Sequence, residues 1–359
     1  MSRRVRIGVI GAGFIGRTHL SMFGQVEQAE LVGVSDSIPA LAEQAAKQFG
    51  LKRVFRSAEE LIDSPDLDAV IVGVPNAYHR PLAVRALESG KHVLLEKPMA
   101  IDGSAAREIY DAWRSTDRIL MIAHQMRWEP LSQQAKGLAE KGELGRIYSV
   151  KAGMMRRKNI PGWGSWFTRK AESGGGPLID IGVHVLDLAL WIMGNPRPSK
   201  VFGSTFAEFG PHKRGTGSWG TPQWGGRFDV EDLATALVKF EDGRALSLDV
   251  SWAVNTDSDN GHFVHAMGSE GGLSLYPKRL VLTGQKFDRP FNVEVPAPEP
   301  VEQPRVLLSR HFVECIQSGT QPISDPLSGL TNSMILDAIY RSATEGGSVD
   351  LDWSFLGPR

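Results

Sequence analysis

A glycine-rich turn at the end of the first apolar run most constrains how this chain can fold. Residues 4–10 predict a buried β-strand, and Gly11-Ala12-Gly13-Phe14-Ile15-Gly16 follows directly, opening a helix-compatible stretch that reaches Phe23. In such a unit the first glycine permits a tight turn, the second lets the backbone approach a phosphate, and the third lets helix and strand pack closely. The motif predicts a dinucleotide-binding βαβ fold; a glycine-rich turn without a ligand is the alternative.

An acidic residue follows the second predicted strand, residues 31–35. Asp36 stands where a carboxylate can accept hydrogen bonds from an adenosine ribose and would repel the 2′-phosphate of NADP. The position therefore predicts NAD as the cofactor. The alternative is a solvated acid that caps the helix beginning near Pro39.

Short apolar runs alternate with amphipathic stretches throughout residues 1–124. Strands are predicted at 69–74, 92–96 and 119–123, with helices at 39–49 and 78–89. Strands that alternate with helices are typical of βαβ units around a parallel sheet. We expect residues 1–124 to form a doubly wound, Rossmann-type α/β domain.

Beyond residue 125 the apolar runs lengthen and turns replace the intervening helices. Strands are predicted at 147–155, 200–207, 233–240, 245–252, 262–268 and 271–276. We expect residues 125–359 to form an α+β domain with a large, mostly antiparallel open sheet, and helices 181–193, 306–318 and 327–344 to cover one face. Residues 210–227, rich in Gly, Trp and Pro, predict a loop.

Charge and cysteine content exclude several classes of partner. Forty basic and 41 acidic residues give a net charge of -1, so no global field draws the chain towards nucleic acid or anionic lipid. The single cysteine, Cys315, cannot form an internal disulfide and offers no metal-ligand cluster, which favours a reducing, cytoplasmic location and no metal.

Membrane and export segments are not expected either. Ser2-Arg3-Arg4 is similar to the start of a twin-arginine or secretory signal. However, Arg6 interrupts the segment, and the apolar run that follows is short and broken by glycine. No run approaches the roughly eighteen apolar residues that a membrane span requires.

Two further segments point beyond a generic nucleotide-binding fold. They are Glu96-Lys97-Pro98 and residues 174–184, with the sequence Gly-Gly-Gly-Pro-Leu-Ile-Asp-Ile-Gly-Val-His. Together with Pro75-Asn76, His79 and Val230-Glu231-Asp232 they make the chain resemble the glucose-fructose oxidoreductase and inositol dehydrogenase family (Gfo/Idh/MocA). The resemblance runs from Ile7 to the C-terminal helix.

The resemblance implies a bound nicotinamide cofactor in the Rossmann domain and a second domain that binds substrate and assembles into dimers or tetramers. Gln125 stands where many members have Asn. The expected cofactor contacts are Gly11, Gly13, Phe14, Ile15, Gly16, Asp36, Pro75, Asn76, His79, Glu96, Lys97 and Gln125.

Three residues are candidates for catalysis. Oxidising a secondary alcohol requires a base within reach of the hydroxyl, and a nearby cation helps the alkoxide form. Lys97 follows a predicted parallel strand, where ligands bind in open α/β sheets, although most lysines simply face solvent. Asp180 and His184 are four residues apart, so a continuous helix would place them on one face.

An imidazole with an unperturbed pKa of about 6.5 suits His184 as general base, while Asp180 could orient it or hold a neighbouring hydroxyl. The structural alternative is that Asp180 caps a helix and His184 is a satisfied histidine on its inner face. The resemblance favours function, because the family's Asp and His occupy matching positions.

Further side chains are expected at the substrate. Arg127 follows the last predicted Rossmann strand, and Arg156, Trp163 and Trp166 precede the glycine triplet. Aromatic faces can stack on a sugar ring while arginines bind hydroxyls; core or interface packing is the alternative. With Lys97, Asp180 and His184, they complete the predicted substrate set.

Three functional interpretations follow. The first is a cytoplasmic NAD-dependent dehydrogenase that moves a hydride to or from a ring carbon of a sugar, glycoside or inositol. The second, also implied by the resemblance, is a glycosidase that retains NAD, oxidises the sugar transiently and cleaves by elimination. The third is a non-catalytic sensor, which the complete set of Lys97, Asp180 and His184 argues against.

Assembly is predicted from the second sheet. If helices cover only one face, alternating residues such as Leu246, Leu248 and Val250 would expose an apolar patch on the other. Pairing two such faces around a symmetry axis would bury the patch. We therefore expect a homo-oligomer, a tetramer or a dimer, with residues 210–227 near a subunit contact or site entrance.

Overall fold

The computed structural model describes residues 3–257, 261–299 and 302–356, which leaves Ser2 of the N-terminal motif outside the described part. The chain forms two compact units. The first contains Met1–Ala100, Ser104–Trp128 and Pro300–Leu330; the second contains Ile101–Gly103, Glu129–Glu299 and Thr331–Arg359. The units therefore do not divide the chain at one point, because a C-terminal segment returns to the first unit.

The first unit is built on a six-stranded parallel sheet in the order β3-β2-β1-β4-β5-β6. These strands are fully or largely apolar because helices cover both faces of such sheets. The strands are β1 (Val5–Ile10), β2 (Ala29–Ser35), β3 (Arg53–Phe55), β4 (Ala69–Val72), β5 (His92–Leu95) and β6 (Leu120–Ile122). The Rossmann prediction is confirmed; β3, only three residues long, was not predicted.

The helices are numbered along the whole chain. They are α1 (Phe14–Phe23), α2 (Pro39–Phe49), α3 (Ala58–Ile62), α4 (His79–Glu88), α5 (Gly103–Arg114), α6 (Pro130–Glu140), α7 (Lys170–Ser173), α8 (Val183–Ile192), α9 (Pro304–Ser318) and α10 (Pro326–Glu345). Short 3₁₀ turns lie at Asn76–Tyr78, Gln125–Trp128, Trp166–Thr168, Gly210–His212 and Ser354–Leu356, and a π-helical turn at Leu178–Gly182.

Helix α9 was predicted to cover the second sheet, and that prediction is wrong. Phe312 and Val313 belong to the core of the first unit with Ile7 and Leu94. The ring of Phe312 meets that of Phe23 on α1 edge to face, with centroids 6.3 Å apart. Amphipathic periodicity identified a helix that buries one face, but it does not say which sheet that face meets.

The second unit contains a nine-stranded sheet in the order β14-β13-β12-β11-β7-β10-β9-β8-β15. Neighbours are antiparallel except β7 and β10, which pair in parallel, so the mostly antiparallel prediction is confirmed. The strands are β7 (Ile147–Met155), β8 (Pro198–Phe206), β9 (Leu233–Phe240), β10 (Ala245–Ser251), β11 (His262–Gly268), β12 (Gly272–Tyr276), β13 (Arg279–Lys286), β14 (Arg289–Val295) and β15 (Val349–Asp350).

The β13–β14 hairpin was missed because its turn lacks the usual glycine signal. Phe287 and Asp288 occupy the turn with φ of 53° and 58°, the conformation that a two-residue hairpin of the primed type requires. An Asn-Gly or Asp-Gly pair at the turn would have predicted this hairpin from the sequence.

The apolar alternation of β10 faces the helices, not solvent. Leu246, Leu248 and Val250 are fully buried, and Val250 lies beside Gly182 of the π-helical turn. The prediction that these three residues form an exposed patch is therefore wrong. The opposite face is the open one, and there Phe202 of β8 pairs with Leu237 of β9, with 50% and 47% of their surfaces exposed.

One helical stretch among the described residues, Lys170–Ile192, is long and apolar enough to cross a membrane by length and composition alone. The sequence had suggested that no stretch comes near that length. Of its most apolar window, 89% is buried inside the protein, as in the core helix of a soluble protein.

Candidate functional site

The three glycines of the glycine-rich turn have different surroundings. Gly11 adopts φ +97°, and a Cβ there would lie 2.3 Å from the carbonyl oxygen of Gly73. A Cβ on Gly16 would lie 1.8 Å from the carbonyl oxygen of Gly11. Around Gly13, in contrast, no described atom lies within 4 Å of the Cβ position, so the backbone there is open to an approaching group.

Helix α1 begins at this turn with Gly13 as its N-cap. Within the described helix Phe14–Phe23, no acidic residue lies in the first turn, and no side chain caps the N-terminus. The positive end of the helix dipole therefore meets no carboxylate of its own helix, which suits an anion. Together with the open backbone at Gly13, this fits the pyrophosphate of a dinucleotide.

Asp36 lies half-buried directly after β2, as predicted. Its Oδ2 accepts a hydrogen bond from the backbone N–H of Ala12 at 2.7 Å, and its Oδ1 accepts one from that of Ile38 at 2.8 Å. The carboxylate thus ties the glycine-rich turn to the end of β2. Each oxygen has a further lone pair, so a ribose hydroxyl can still be bound.

His79 and its neighbours join the turns that follow β4 and β5. Pro75 precedes the 3₁₀ turn Asn76–Tyr78, and Asn76 is buried. The fully buried ring of His79 lies 2.8 Å from the Pro98 carbonyl oxygen through Nδ1 and 2.9 Å from that of Val74 through Nε2. Burial lowers the pKa of His79, although these two contacts oppose the shift. His79 therefore braces the backbone; its predicted cofactor contact stays a prediction.

Glu96, Lys97 and Pro98 directly follow the carboxyl end of β5. Lys97 is half-buried, and the peptide bond between Lys97 and Pro98 is cis. Glu96 is buried, and its Oε1 accepts a hydrogen bond from Nε2 of His19 at 2.8 Å. Arg305 of α9 approaches the same oxygen at 3.8 Å.

Burial would raise the pKa of Glu96, but the bond from His19 and the positive charges around it lower the value to about 2. The carboxylate therefore stays ionised inside the first unit. Neither His19 nor Arg305 was predicted from the sequence, because both lie far from Glu96 along the chain.

Gln125 and Arg127 lie on the 3₁₀ turn after β6. Gln125 is half-buried. Arg127 is fully buried, and its Nη1 donates a hydrogen bond to the carbonyl oxygen of Ile323. Arg127 therefore has a structural contact inside the first unit, and its predicted role at the substrate stays untested.

The glycine triplet of the second unit is fixed by close packing. Gly174 ends α7 in the left-handed conformation, with φ +85°. A Cβ on Gly175 would lie 2.0 Å from the hydroxyl oxygen of Tyr340, and a Cβ on Gly176 would lie 2.0 Å from the carbonyl oxygen of Glu231. Any larger residue at the second or third position would displace these neighbours.

Glu231 holds the same segment through its side chain. The buried carboxylate accepts hydrogen bonds from the backbone N–H of Gly176 at 2.9 Å, from that of Leu178 at 3.0 Å, and from the Tyr340 hydroxyl at 2.8 Å. Burial raises the pKa of Glu231, although the bonds it accepts oppose that rise. Sequence analysis identified Glu231 as a match to the family, but it predicted neither these hydrogen bonds nor the contact with Tyr340.

Asp180 and His184 lie on one helical run. Asp180 belongs to the π-helical turn Leu178–Gly182, and His184 to the first turn of α8. Single π-turns inside helices are rare and are frequent at functional sites. Trp252, a fully buried residue after β10, donates its indole N–H to Oδ2 of Asp180 at 3.1 Å. The carboxylate orientation is therefore held, and both side chains are half-buried.

The predicted aromatic residues belong to a stacked cluster with the segment 210–228. Trp163 is buried, donates its indole N–H to the Gly210 carbonyl at 2.7 Å, and stacks on Trp224 with centroids 5.5 Å apart. Trp166 lies half-buried against Phe167, with centroids 3.8 Å apart. Trp163 is therefore packed inside the second unit, and its predicted substrate contact, like that of Trp166, stays a prediction.

Two more predictions concern the same region. Arg156 follows β7, where its backbone N–H donates to the Ser251 carbonyl at 3.0 Å, and its substrate contact is also untested. Residues 210–227 form an irregular loop after a single 3₁₀ turn, Gly210–His212, as predicted.

Each unit carries part of the predicted set. The first holds the glycine-rich turn, Asp36 and Lys97, and the second holds Asp180 and His184. Among residues 3–257, 261–299 and 302–356, no group of three or more His, Cys, Asp or Glu side chains could hold a metal ion.

Comparison with known proteins yields two family models. An oxidoreductase family model with an NAD-binding Rossmann fold, GFO/IDH/MocA, matches residues 5–124. The GFO/IDH/MocA C-terminal domain matches residues 132–274.

Individual relatives extend over nearly the whole chain. D-glucoside 3-dehydrogenase of Escherichia coli (strain K12) is 32% identical over 353 residues, 98% of each chain. The scyllo-inositol 2-dehydrogenase (NAD(+)) of Bacillus subtilis (strain 168) is 26% identical over 98% of each chain. A solved levoglucosan dehydrogenase in complex with NADH and levoglucosan superposes with a TM-score of 0.85 at 25% identity, covering 97% of this chain and 99% of the other.

Proposed function

Because this chain belongs to the Gfo/Idh/MocA family of NAD-binding oxidoreductases, we propose that it oxidises one ring alcohol of a sugar, glycoside or inositol by hydride transfer to NAD. The relatives named above act on D-glucosides and scyllo-inositol, and a solved neighbour binds levoglucosan. These compounds share a six-membered ring with secondary hydroxyls. We propose that class as the substrate.

One observation carries the proposal. Strands β1, β4 and β5 are adjacent and parallel, so their carboxyl ends meet at one edge of the sheet. The glycine-rich turn follows β1, and Lys97 follows β5. Ligands of open α/β sheets bind at that edge, where Lys97 would share the site with a cofactor held by α1.

The cofactor would be held by the glycine-rich turn and Asp36, and it supplies the hydride acceptor when bound. Lys97 would donate a hydrogen bond to the substrate oxygen and stabilise the developing alkoxide. An imidazole nitrogen of His184 would take the hydroxyl proton while the C–H hydrogen leaves with its electron pair, so that a carbonyl forms. Asp180, held by Trp252, would orient His184 or a neighbouring hydroxyl.

The test is a screen of inositols, aldoses, anhydrosugars and glycosides for NADH formation. We expect at least one to give sustained, stoichiometric NADH, and Lys97→Ala to abolish most of it while NAD still binds. Release of an aglycone without net NADH would instead identify an NAD-retaining glycosidase. Binding of sugar and NAD with neither reaction would identify a sensor.

Assembly is a separate proposal. We propose that the chain forms a homo-oligomer, a tetramer or a dimer, through the open face of the nine-stranded sheet. The exposed Phe202–Leu237 pair supports this, because a second copy of the same sheet face could bury this apolar area around a symmetry axis. Substituting both with Ser should reduce the mass measured by light scattering.

We also propose a cytoplasmic location. Cys315 is buried and reduced, which suits a reducing compartment. Cell fractionation with a soluble cytoplasmic marker tests this.

A further inference from the structure

A cluster of polar side chains, two of them buried and one 29% exposed, includes the residue directly before Lys97 in the first unit. It consists of His19, Glu96 and Arg305, and we refer to it as the Glu96 cluster. His19 lies 2.8 Å from Oε1 of the carboxylate and Arg305 lies 3.8 Å from the same atom. The side chains of His19 and Glu96 are 3% and 7% exposed, so solvent screens their interaction little.

The three members come from three different elements. His19 lies on α1, the helix whose N-terminus forms the glycine-rich turn; Glu96 follows β5; Arg305 lies in the first turn of α9. The carboxylate is thus the point at which α1, the end of β5 and the returning C-terminal helix are joined.

The other carboxylate oxygen acts on Lys97. Oε2 of Glu96 accepts a hydrogen bond from the backbone N–H of Lys97 at 3.2 Å. The orientation of the carboxylate therefore fixes the peptide from which the Lys97 side chain extends. Through His19 the same carboxylate is also fixed relative to α1.

Stability alone does not account for such a cluster. Replacing a buried ion group with well-packed apolar residues is often neutral or stabilising, so charged groups in a core are a poor means of raising stability. What an apolar replacement could not provide is directional hydrogen bonding to the Lys97 backbone. The cluster therefore has a geometric use that apolar packing lacks.

We propose that Glu96, His19 and Arg305 are positioning residues that set the place of Lys97 relative to α1 and hence to the nicotinamide cofactor that α1 would bind. This differs from the direct cofactor contact that the sequence suggested for Glu96. The inference rests on the proposed function, because it takes Lys97 as the residue that meets the substrate oxygen.

The variants are chosen to separate positioning from folding. Glu96→Gln keeps the shape of the side chain and removes its charge. Arg305→Ala removes the cation that α9 places near Glu96, and Arg305→Lys restores a positive charge at that position. The matched control is Arg310→Ala, on the same helix as Arg305. It breaks a partly exposed ion pair, 2.5 Å long, with Glu302, which precedes the helix.

Turnover is measured with D-glucosides, levoglucosan and scyllo-inositol, using the best alcohol in both its ordinary and its ring-deuterated form. All rates are divided by the concentration of NAD-binding sites, measured by calorimetry with NAD alone. A displacement of about 1 Å can cost about a hundredfold in rate. We therefore expect Glu96→Gln and Arg305→Ala to lower kcat per site by about tenfold to a hundredfold.

The isotope effect separates the two roles further. A misplaced Lys97 slows hydride transfer itself, so the deuterium isotope effect on kcat should rise in both variants while KM stays within about threefold of normal. Arg305→Lys should recover most of kcat, and Arg310→Ala should match the unmodified enzyme. A merely structural role would lower the number of NAD-binding sites and leave kcat per site and the isotope effect unchanged, and that result would overturn the proposal.

Failure of the proposed function gives a different result. In that case the unmodified enzyme would bind NAD and form no NADH with any of these alcohols, and the inference would fall with it. An unmodified enzyme that turns over, with normal kcat and isotope effect in Glu96→Gln, would reject the positioning role alone.

Discussion

Substituting Asp36 with Ala should change cofactor preference and stability together, because its carboxylate has two tasks. Within the protein, the carboxylate accepts hydrogen bonds from the backbone N–H groups of Ala12 and Ile38. Towards the cofactor it would bind the ribose hydroxyls of NAD and repel the 2′-phosphate of NADP. Both consequences can be given a magnitude.

The stability loss comes mainly from Ala12. Ala12 is fully buried, so its N–H would lose its acceptor without gaining water, whereas Ile38 is 56% exposed and its N–H can be hydrated. Leaving one buried donor unsatisfied costs about 1–3 kcal/mol, so we expect Asp36→Ala to lower the free energy of unfolding by about 2 kcal/mol.

Two effects of the substitution change the preference for NAD over NADP. A charge facing a doubly charged phosphate about 5 Å away in water contributes about 2 kcal/mol of repulsion, which the substitution removes for NADP. Lost hydrogen bonds to the ribose weaken NAD binding by about another 2 kcal/mol. Together they should narrow the ratio of kcat/KM for NAD over NADP by up to about a thousandfold.

The assay measures kcat/KM for both cofactors and the urea unfolding curve, with Asp66→Ala as an exposed control. The unmodified enzyme should clearly prefer NAD. Comparable kcat/KM for the two cofactors in the unmodified enzyme would refute the role of Asp36. An unfolding curve of Asp36→Ala that overlays the unmodified one would refute the assigned hydrogen bonds.

Further outcomes follow from the same structure. Lys97→Ala and His184→Ala should each lower kcat by about 10² to 10⁴-fold, while calorimetry still detects NAD binding. Tyr340→Phe should lower the free energy of unfolding in urea by about 2 kcal/mol, because a hydrogen bond to the buried Glu231 carboxylate is lost. The lowered pKa of Glu96 makes its ionisation stabilising above the ordinary pKa of 4.5, and this contribution is lost as the pH falls towards about 2. Glu96→Gln should therefore flatten the dependence of unfolding free energy on pH below 4.5. Light scattering at micromolar concentration should report a multiple of the chain mass.

Each of these outcomes has a contrary result. Near-normal turnover in Lys97→Ala or His184→Ala would make that residue structural. An unchanged unfolding free energy in Tyr340→Phe would mean that water replaces the hydroxyl. Parallel pH curves for Glu96→Gln and the unmodified protein would show that the carboxylate does not contribute, and a single-chain mass would reject the oligomer.

The cofactor turn could be predicted because its determinants are local. A strand, three glycines and a helix follow one another within a few residues, and Asp36 ends the next strand. Backbone geometry then proves to require glycine at Gly11 and Gly16, while the backbone at Gly13 is open to an approaching group. Rules of this kind involve only residues that are close together along the chain, so they can be applied to the sequence alone.

The supports of the site could not be predicted, because they are made between distant segments. His19 looks like an ordinary residue on the inner face of α1, and Arg305 like a charge at the start of an amphipathic helix. Only the fold brings both to Glu96. The bond from Trp252 to Asp180 is of the same kind.

The second sheet illustrates a different limit. Alternation in β10 correctly separates Leu246, Leu248 and Val250 from the polar residues between them, but it does not state which face is covered. Hydrophobic burial decides this, and the helices lie over the apolar side. On the open face, Phe202 and Leu237 form an exposed apolar pair.

The most direct test of the central claim follows one hydrogen atom. The enzyme is incubated with NAD and a ring-deuterated substrate from the screen, and the cofactor pool is analysed by mass spectrometry. Our account predicts one deuterium in each NADH formed, together with an equal amount of keto product, and loss of both in Lys97→Ala. NADH that carries no deuterium would contradict our account. Conversion of the substrate that leaves both NAD and NADH free of deuterium would contradict it as well.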